Sequence, residues 1–304
     1  MDLWKLIIRY SKTTVILPLF FVILLSITFA CLWSNQTGAV TDTKIKGLTL
    51  SPLRSELNIE PGTSLDGTLT VINSTDKSMT VSLSAAEFSV INQQYDYAFT
   101  AESNLAKWVT FSQSEINLAA GKSQKVTFTV GAPLSAEPGG RYVSLFASTD
   151  VGSLDSGFNS RQRIASLLYI TVIGDVTRVG HLVSLSSPWL ISSQSMWTVA
   201  LQNTGTTHFR SRYNVQTQNL FGTSVASNSG DALILPNTIR LVSDDLPLPQ
   251  LPGIYKIVYM IGLGDTPAVT ETRYVLYMPP LAMIILVILV ITASGLVHKR
   301  FRKR

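Results

Sequence analysis

Residues Leu65–Ala85 read LDGTLTVINSTDKSMTVSLSA. Leu65, Gly67, Leu69 and Val71 alternate with polar residues as far as Asn73-Ser74-Thr75-Asp76, and Met79, Val81, Leu83 and Ala85 resume the alternation beyond it. A period of two lines one face of a strand with the apolar set. Two such runs joined by Asn, Ser, Thr and Asp spell a pair of antiparallel strands.

The same grammar extends in both directions. Leu48 and Leu50 precede Ser51-Pro52, and Leu57 and Ile59 precede the turn signal Pro61-Gly62. Ile116 and Leu118 lead into Ala120-Gly121-Lys122, after which Val126, Phe128 and Val130 alternate. Tyr142 to Ser148 and Ser166 to Ile173 are denser in apolar residues, which predicts central strands. Short strands with turns at this spacing predict an all-β ectodomain, its first part an immunoglobulin-like β-sandwich over residues 47–174. Its core is expected to draw on Leu69, Val71, Val81, Leu83, Trp108, Val126, Phe128 and Leu145. Polar insertions are expected at Phe88 to Lys107 and Asp150 to Arg163.

A second β-sandwich is predicted over 175–277, in series with the first and almost without a linker. Trp197, Val199 and Leu201 alternate before Asn203-Thr204-Gly205-Thr206, and Tyr213, Val215 and Thr217 lead to Phe221-Gly222. Pro247, Pro249 and Pro252 interrupt pairing and predict an extended connection. LTVINSTDKSMTV and WTVALQNTGTTHF share an alternating strand that ends in Asn. Either an internal repeat or ordinary hairpin chemistry accounts for that likeness.

Hydrophobic helices are expected to flank the sandwiches. Residues 14–33, TVILPLFFVILLSITFACLW, are uncharged and long enough to cross a bilayer as a helix. The second apolar helix is expected over 279–297, with LAMIILVILVITASGLV at its centre. Residues 1–13 carry Lys5, Arg9 and Lys12, and residues 298–304 carry Lys299, Arg300, Arg302, Lys303 and Arg304. Bases close to a span stay on the cytoplasmic side. Both ends are therefore expected in the cytoplasm, with the region between them outside the cell membrane. Residues 34–46 read as a linker. Thr37-Gly38-Ala39 also suits a signal peptidase, so the first run is either an anchor or a signal sequence cleaved after Ala39.

The formal charge of +5 belongs to these tails. Setting aside their eight bases and Asp2 leaves 16 bases against 18 acids, about −2 for the middle of the chain. That balance offers no electrostatic footprint for nucleic acid. The one cysteine, Cys31, excludes an intramolecular disulfide.

Signatures of catalysis and cofactor binding were sought in the ectodomain. His181 and His208 lack companion ligands at metal-site spacing, and His208, following a hairpin turn, reads as a strand-edge residue. Asp244-Asp245 reads as a solvated pair in the Pro-rich loop, and Asp96 and Glu102 lack the spacing of a Ca²⁺ loop. No nucleophile elbow appears. The expectation is a non-enzyme with no cofactor and no metal.

LSPLRSELNIEPGTSLDGTLTVINSTDKSMTV and LAKWVTFSQSEINLAAGKSQKVTFTVGAPLSAEPGGRYVSLF together resemble the peptidoglycan-binding domain of the WxL-interacting cell-surface proteins of Gram-positive bacteria. QNTGTTHFRSRYNVQTQNLFG, LPNTIR and PGIYKIVY are similar to the membrane-proximal β-domain of that family, which also ends in a membrane span and a basic tail. Trp189-Leu190 is adjacent here rather than spaced and takes no part in the resemblance. The resemblance implies an anchored extracellular protein, with the lipid bilayer and peptidoglycan, another wall polymer or a surface protein as partners. The alternative is a chaperone-like assembly or docking scaffold for a surface complex. Within Pro138-Gly139-Gly140-Arg141-Tyr142, Arg141 and Tyr142 are the candidates to face a ligand, with Arg141 otherwise capping a loop.

Overall fold

Leu69 and Val71 on one strand and Val81 and Leu83 on the next point into a common core, as their alternation requires. The computed structural model of the chain describes residues 47–151 and 160–301. Lys5, Arg9, Lys12, the apolar run 14–33, the cleavage point after Ala39, and Arg302, Lys303 and Arg304 lie outside the described residues.

In chain order the first ten strands are β1 (Leu48–Ser51), β2 (Arg54–Ile59), β3 (Ser64–Asn73), β4 (Met79–Val90), β5 (Tyr97–Thr100), β6 (Val109–Phe111), β7 (Glu115–Leu118), β8 (Ser123–Gly131), β9 (Gly139–Val151) and β10 (Ser160–Val172). They form a four-stranded sheet in the order β1-β3-β8-β6 and a six-stranded sheet in the order β2-β10-β9-β4-β5, with β7 also on β4. The sheets close on a core of Leu50, Leu69, Val71, Val126, Phe128, Leu145 and Leu168, among others. Trp108 sits half-buried at the end of a 3₁₀ turn, Ala106–Trp108, and packs against this core from its rim.

The next eight strands are β11 (Gly180–Ser186), β12 (Leu190–Ile191), β13 (Met196–Asn203), β14 (Phe209–Gln218), β15 (Ser224–Ile234), β16 (Thr238–Asp245), β17 (Gly253–Leu263) and β18 (Thr266–Tyr277). They form a three-stranded sheet, β11-β13-β16, facing a five-stranded sheet, β12-β18-β17-β14-β15. Trp197 and Tyr259 are the largest side chains fully enclosed between them. Asp244 and Asp245 end β16 instead of occupying the Pro-rich loop. Asp244 is not merely solvated, since it accepts the Tyr213 hydroxyl at 2.8 Å.

The two sandwiches are laid out alike. β1 pairs with β3 as β11 pairs with β13, and β3 pairs with β8 as β13 pairs with β16. β2 runs parallel to β10 as β12 runs parallel to β18. Even the terminal asparagines of β3 and β13 act alike. Asn73, fully buried, donates its amide to the carbonyl of Lys77 at 2.8 Å and accepts the Thr75 N–H at 2.9 Å. Asn203, also fully buried, donates to the carbonyl of Thr207 at 2.9 Å and accepts the Gly205 N–H at 2.8 Å. Each also reaches a distant carbonyl, Leu118 or Ala119 in one case and Ile234 in the other. The shared sequence pattern thus marks one structural device used twice.

Where an N-terminal and a C-terminal helix were expected, a single α-helix lies among the described residues: α1, Pro280–Phe301, of 22 residues. It extends past the predicted end at 297 through Lys299 and Arg300. Its described apolar side chains, including Ile285, Val287, Leu289 and Ile291, are exposed rather than packed on the sandwiches. Among the described residues no helix is long and apolar enough to cross a membrane.

Replacing Asn203 tests the buried amide. Asn203→Ala is expected to cost about 2–4 kcal/mol, because it orphans buried carbonyls of Thr207 and Ile234. Asn203→Asp should cost at least as much, since a carboxylate has no N–H to give those oxygens and would bury a charge. Denaturant unfolding of the three proteins checks this order, and an Asp variant as stable as the parent would contradict it.

Candidate functional site

Central strands buried on both faces need a cover on the side away from their own core. Val143, Leu145, Leu168 and Ile170 face the first core, while Leu167 and Tyr169, from the opposite face of β10, join Phe88, Tyr95, Leu233 and Leu235 in a separate buried cluster. Leu233 and Leu235 belong to the second sandwich, so this cluster is the seam between the two. The sandwiches belong to one compact unit.

Aromatic rings and hydrogen bonds hold the seam. Phe88 meets Tyr169 edge-on at 5.6 Å between centroids, and His208 meets Tyr142 and Tyr169 at 5.6 and 5.5 Å. The Tyr95 hydroxyl accepts the Leu235 N–H at 2.8 Å and donates to Thr238 Oγ1 at 2.7 Å, whose own hydroxyl donates to the Leu235 carbonyl at 2.8 Å. Arg240 lies over the Tyr95 ring, 4.4 Å from its centroid. The Gly140 N–H donates to the Thr206 carbonyl at 3.0 Å, and the Leu241 N–H to that of Gln93 at 2.9 Å. Among the described residues, Tyr95 (φ 67°) and Asn237 (φ 57°) are the non-glycine residues in left-handed conformation, and both sit at this junction. A bulky residue holds such a backbone only where its surroundings determine it.

A polar cleft of about 320 Å³ opens beside the seam. Glu56 and Asn58 of β2 and Thr171 of β10 line one side; Arg178, Arg210 and Asp265 of the second sandwich line the other, and His208 also lines it. Arg210 forms ion pairs with both Glu56 and Asp231 and so ties β2 to the second sandwich. His208 is 7% exposed. Burial lowers its pKa to about 4; Glu56 opposes this and Arg178 and Arg210 reinforce it. Burial likewise raises the phenols of Tyr142, Tyr169 and Tyr95. Among the described residues no group of three or more His, Cys, Asp or Glu could hold a metal ion.

A second feature is a free strand edge. β18 pairs with β17 from Thr266 to Tyr277, but on its other side β12 covers only Leu276 and Tyr277. In the first sandwich the corresponding edge of β10 is covered by β2 from Leu167 to Val172. The Leu276 N–H donates outward to Trp189 and that of Met278 to Ile191, both at 2.8 Å. Alternation along a strand then directs the N–H groups of Tyr274, Thr272 and Thr270 to the same uncovered side.

The residues singled out from sequence fall as follows. Arg141 gives its guanidinium to the carbonyls of Gly140 and Glu137, at 2.9 and 3.0 Å, closing the preceding loop. Tyr142 turns toward His208 in the seam, 3.4 Å from hydroxyl to Nδ1. A Cβ on Gly140 would sit 2.0 Å from that hydroxyl, which explains a glycine there. Lys299 and Arg300 lie in the last turns of α1. Asp96 is bound into a turn by Asn92. His208, expected at a strand edge, is buried between sandwiches, and the insertion expected to be polar supplies the buried Tyr95. Both were missed because their cover comes from the other sandwich. The signal available was the apolar density of β10, which exceeds what one core requires.

No family model matches the chain, and no curated protein does. Among solved structures, the class 5 fimbriae chaperone CfaA is similar over 76% of this chain and 99% of its own, at 10% identity and a TM-score of 0.40. A chaperone–tip adhesion subunit complex, CsuC–CsuE of Acinetobacter baumannii, is similar over 76% of this chain and 99% of the matched chain, at 13% identity and a TM-score of 0.38. A Porphyromonas gingivalis protein of unknown function is similar over 75% of this chain and 99% of its own, at 15% identity and 0.28. Scores this low assign no family and carry no residue role across.

The buried imidazole makes the seam acid-sensitive. With its folded pKa near 4 and an unfolded value near 6.5, His208 binds its proton more readily in the unfolded chain. Its neutral form supports folding fully above pH 6.5, and that support is lost as pH falls toward 4, on the order of 3 kcal/mol in total. Unfolding free energies measured between pH 7 and 4 should fall more steeply for the parent than for His208→Gln. Parallel curves would remove His208 as the cause.

Proposed function

We propose that this chain is a membrane-anchored extracytoplasmic docking protein, built on two immunoglobulin-like sandwiches, that holds a surface protein partner along the free edge of β18. The observation that carries the reading is the uncovered stretch of β18 between Asp265, tied to Arg178, and Leu276, tied to Trp189. Unpaired backbone groups in a preformed sheet are a template for an added strand, and side chains on alternate positions give selectivity. Glu271 and Arg273 on that strand limit indiscriminate pairing. The aromatic seam supports the same reading by keeping the two sandwiches one body under load.

Membrane anchorage rests on α1. A helix apolar on all sides and unpacked against its own protein belongs in lipid. The described side chains by themselves fall short of a span. From Pro280 to Val297 the helix carries no charged residue and rises about 27 Å, close to the thickness of a hydrocarbon core, and we rest the reading on that uncharged length. Lys299 and Arg300 in its last turns, with the bases that follow in the sequence, support a cytoplasmic end.

The polar cleft keeps wall polymer as a second reading, because it offers hydroxyl, amide and charged groups from both sandwiches. Full-length protein in detergent, offered purified sacculi and envelope protein extract separately, distinguishes the two. A stoichiometric protein partner, retained by Thr272→Ala and lost at least tenfold by Thr272→Pro, is the expected result; proline removes the outward N–H while an edge position tolerates it. Retention on sacculi alone, or equal capture by both variants, would overturn edge docking.

A further inference from the structure

We infer that the end of the second sandwich from which α1 leaves is itself a membrane-docking surface, which seats the sandwich on the lipid headgroups. This rests on the membrane-anchored reading above. Large apolar side chains gather at that end from several loops and strands. Phe221 is 95% exposed, Trp189 72% and Leu251 70%, with Leu220, Ile254 and Tyr274 also exposed.

Register places them together. Gln218 faces Lys256 across β14 and β17, so the turn after Gln218 projects beyond the start of β17. Gly253 and Ile254 at that start face Tyr277 and Leu276 at the end of β18, and Trp189 bonds to Leu276. Leu251 lies just ahead of Gly253, and its carbonyl takes the Tyr255 hydroxyl at 2.8 Å.

The Leu220-Phe221 tip is built rather than loose. Asn219 Oδ1 accepts the N–H groups of Phe221 at 3.0 Å and Thr223 at 2.9 Å, and the Asn219 carbonyl accepts that of Gly222, which supplies the left-handed φ of 85°. A fixed turn that presents a phenylalanine to solvent needs a surface to meet, since scattered apolar residues are ordinary but a gathered set is not.

The short join to the helix makes that surface a bilayer. β18 ends at Tyr277 and α1 begins at Pro280, and Met278 is still bonded to Ile191. One or two free residues reach at most about 7 Å. Once Leu281 enters hydrocarbon, this end of the sandwich lies at headgroup depth, where Trp and Tyr are favoured. Lys256 adds a cation beside them suited to phosphate; Asp245, at the same end across from Met196, is engaged by Gln194.

The test uses the full chain carrying Cys31→Ser, reconstituted in phosphatidylcholine–phosphatidylglycerol vesicles, with an environment-sensitive dye on a single new cysteine: Phe221→Cys, Leu251→Cys, Val287→Cys in α1, or Leu134→Cys, an exposed site on the first sandwich. Spin-labelled lipid should quench the dye at 221 and 251 at least threefold more than at 134, and quench 287 most. Quenching at 287 with 221 and 251 no different from 134 would overturn docking while leaving the anchor intact. No quenching at 287 would overturn the membrane reading and docking with it.

Discussion

The six-stranded sheet of the first sandwich cannot end at its own surface. Leu167 and Tyr169 on β10, with Phe88 on β4, form a second apolar face, smaller than the inner one, and the second sandwich covers it with Leu233 and Leu235. Burying that face is worth on the order of 2 kcal/mol per large side chain. Such a gain is enough to hold the bulky Tyr95 in a left-handed conformation. The short join between Val172 and Gly180 fits a pair of sandwiches that are meant not to move apart.

How the sheet edges are treated follows from this. The first insertion bonds to β16 through Gln93, and β2 covers β10 along six residues. The second sandwich repeats the layout of the first but shortens the equivalent of β2 to Leu190–Ile191. The second sandwich thus shares the architecture of the first but leaves most of one strand edge uncovered.

The strands and their inward faces were legible because a period of two reports on a strand's own sandwich, and Leu69, Val71, Val81, Leu83, Val126, Phe128 and Leu145 are all buried in it. Trp108, placed by the same rule, sits at the rim because its segment turns as a 3₁₀ helix instead of continuing a strand. The Asn-ended repeat was legible as a likeness but not as a device, since its meaning lies in carbonyls that come from distant strands. The seam was least legible. Tyr95 follows Asn-Gln-Gln and His208 follows a turn, surroundings that signal solvent, and only the opposing sandwich makes them interior. The free edge of β18 was hidden for the same reason: nothing in its own residues tells whether a neighbour lies alongside.

The end of the second sandwich from which α1 leaves is closely tied by its backbone. Since Met278 is bonded to Ile191 and the helix begins at Pro280, the join between the second sandwich and α1 is held short. The aromatic seam carries that restraint onward to the first sandwich, because the Arg210–Glu56 pair and the Tyr95 bonds would have to break before one sandwich could swing against the other. A partner strand laid on β18 would therefore meet an edge held in a fixed relation to the helix. A flexible stalk would give reach at the cost of orientation. Paired sandwiches with short joins, Val172 to Gly180 and Tyr277 to Pro280, favour orientation over reach.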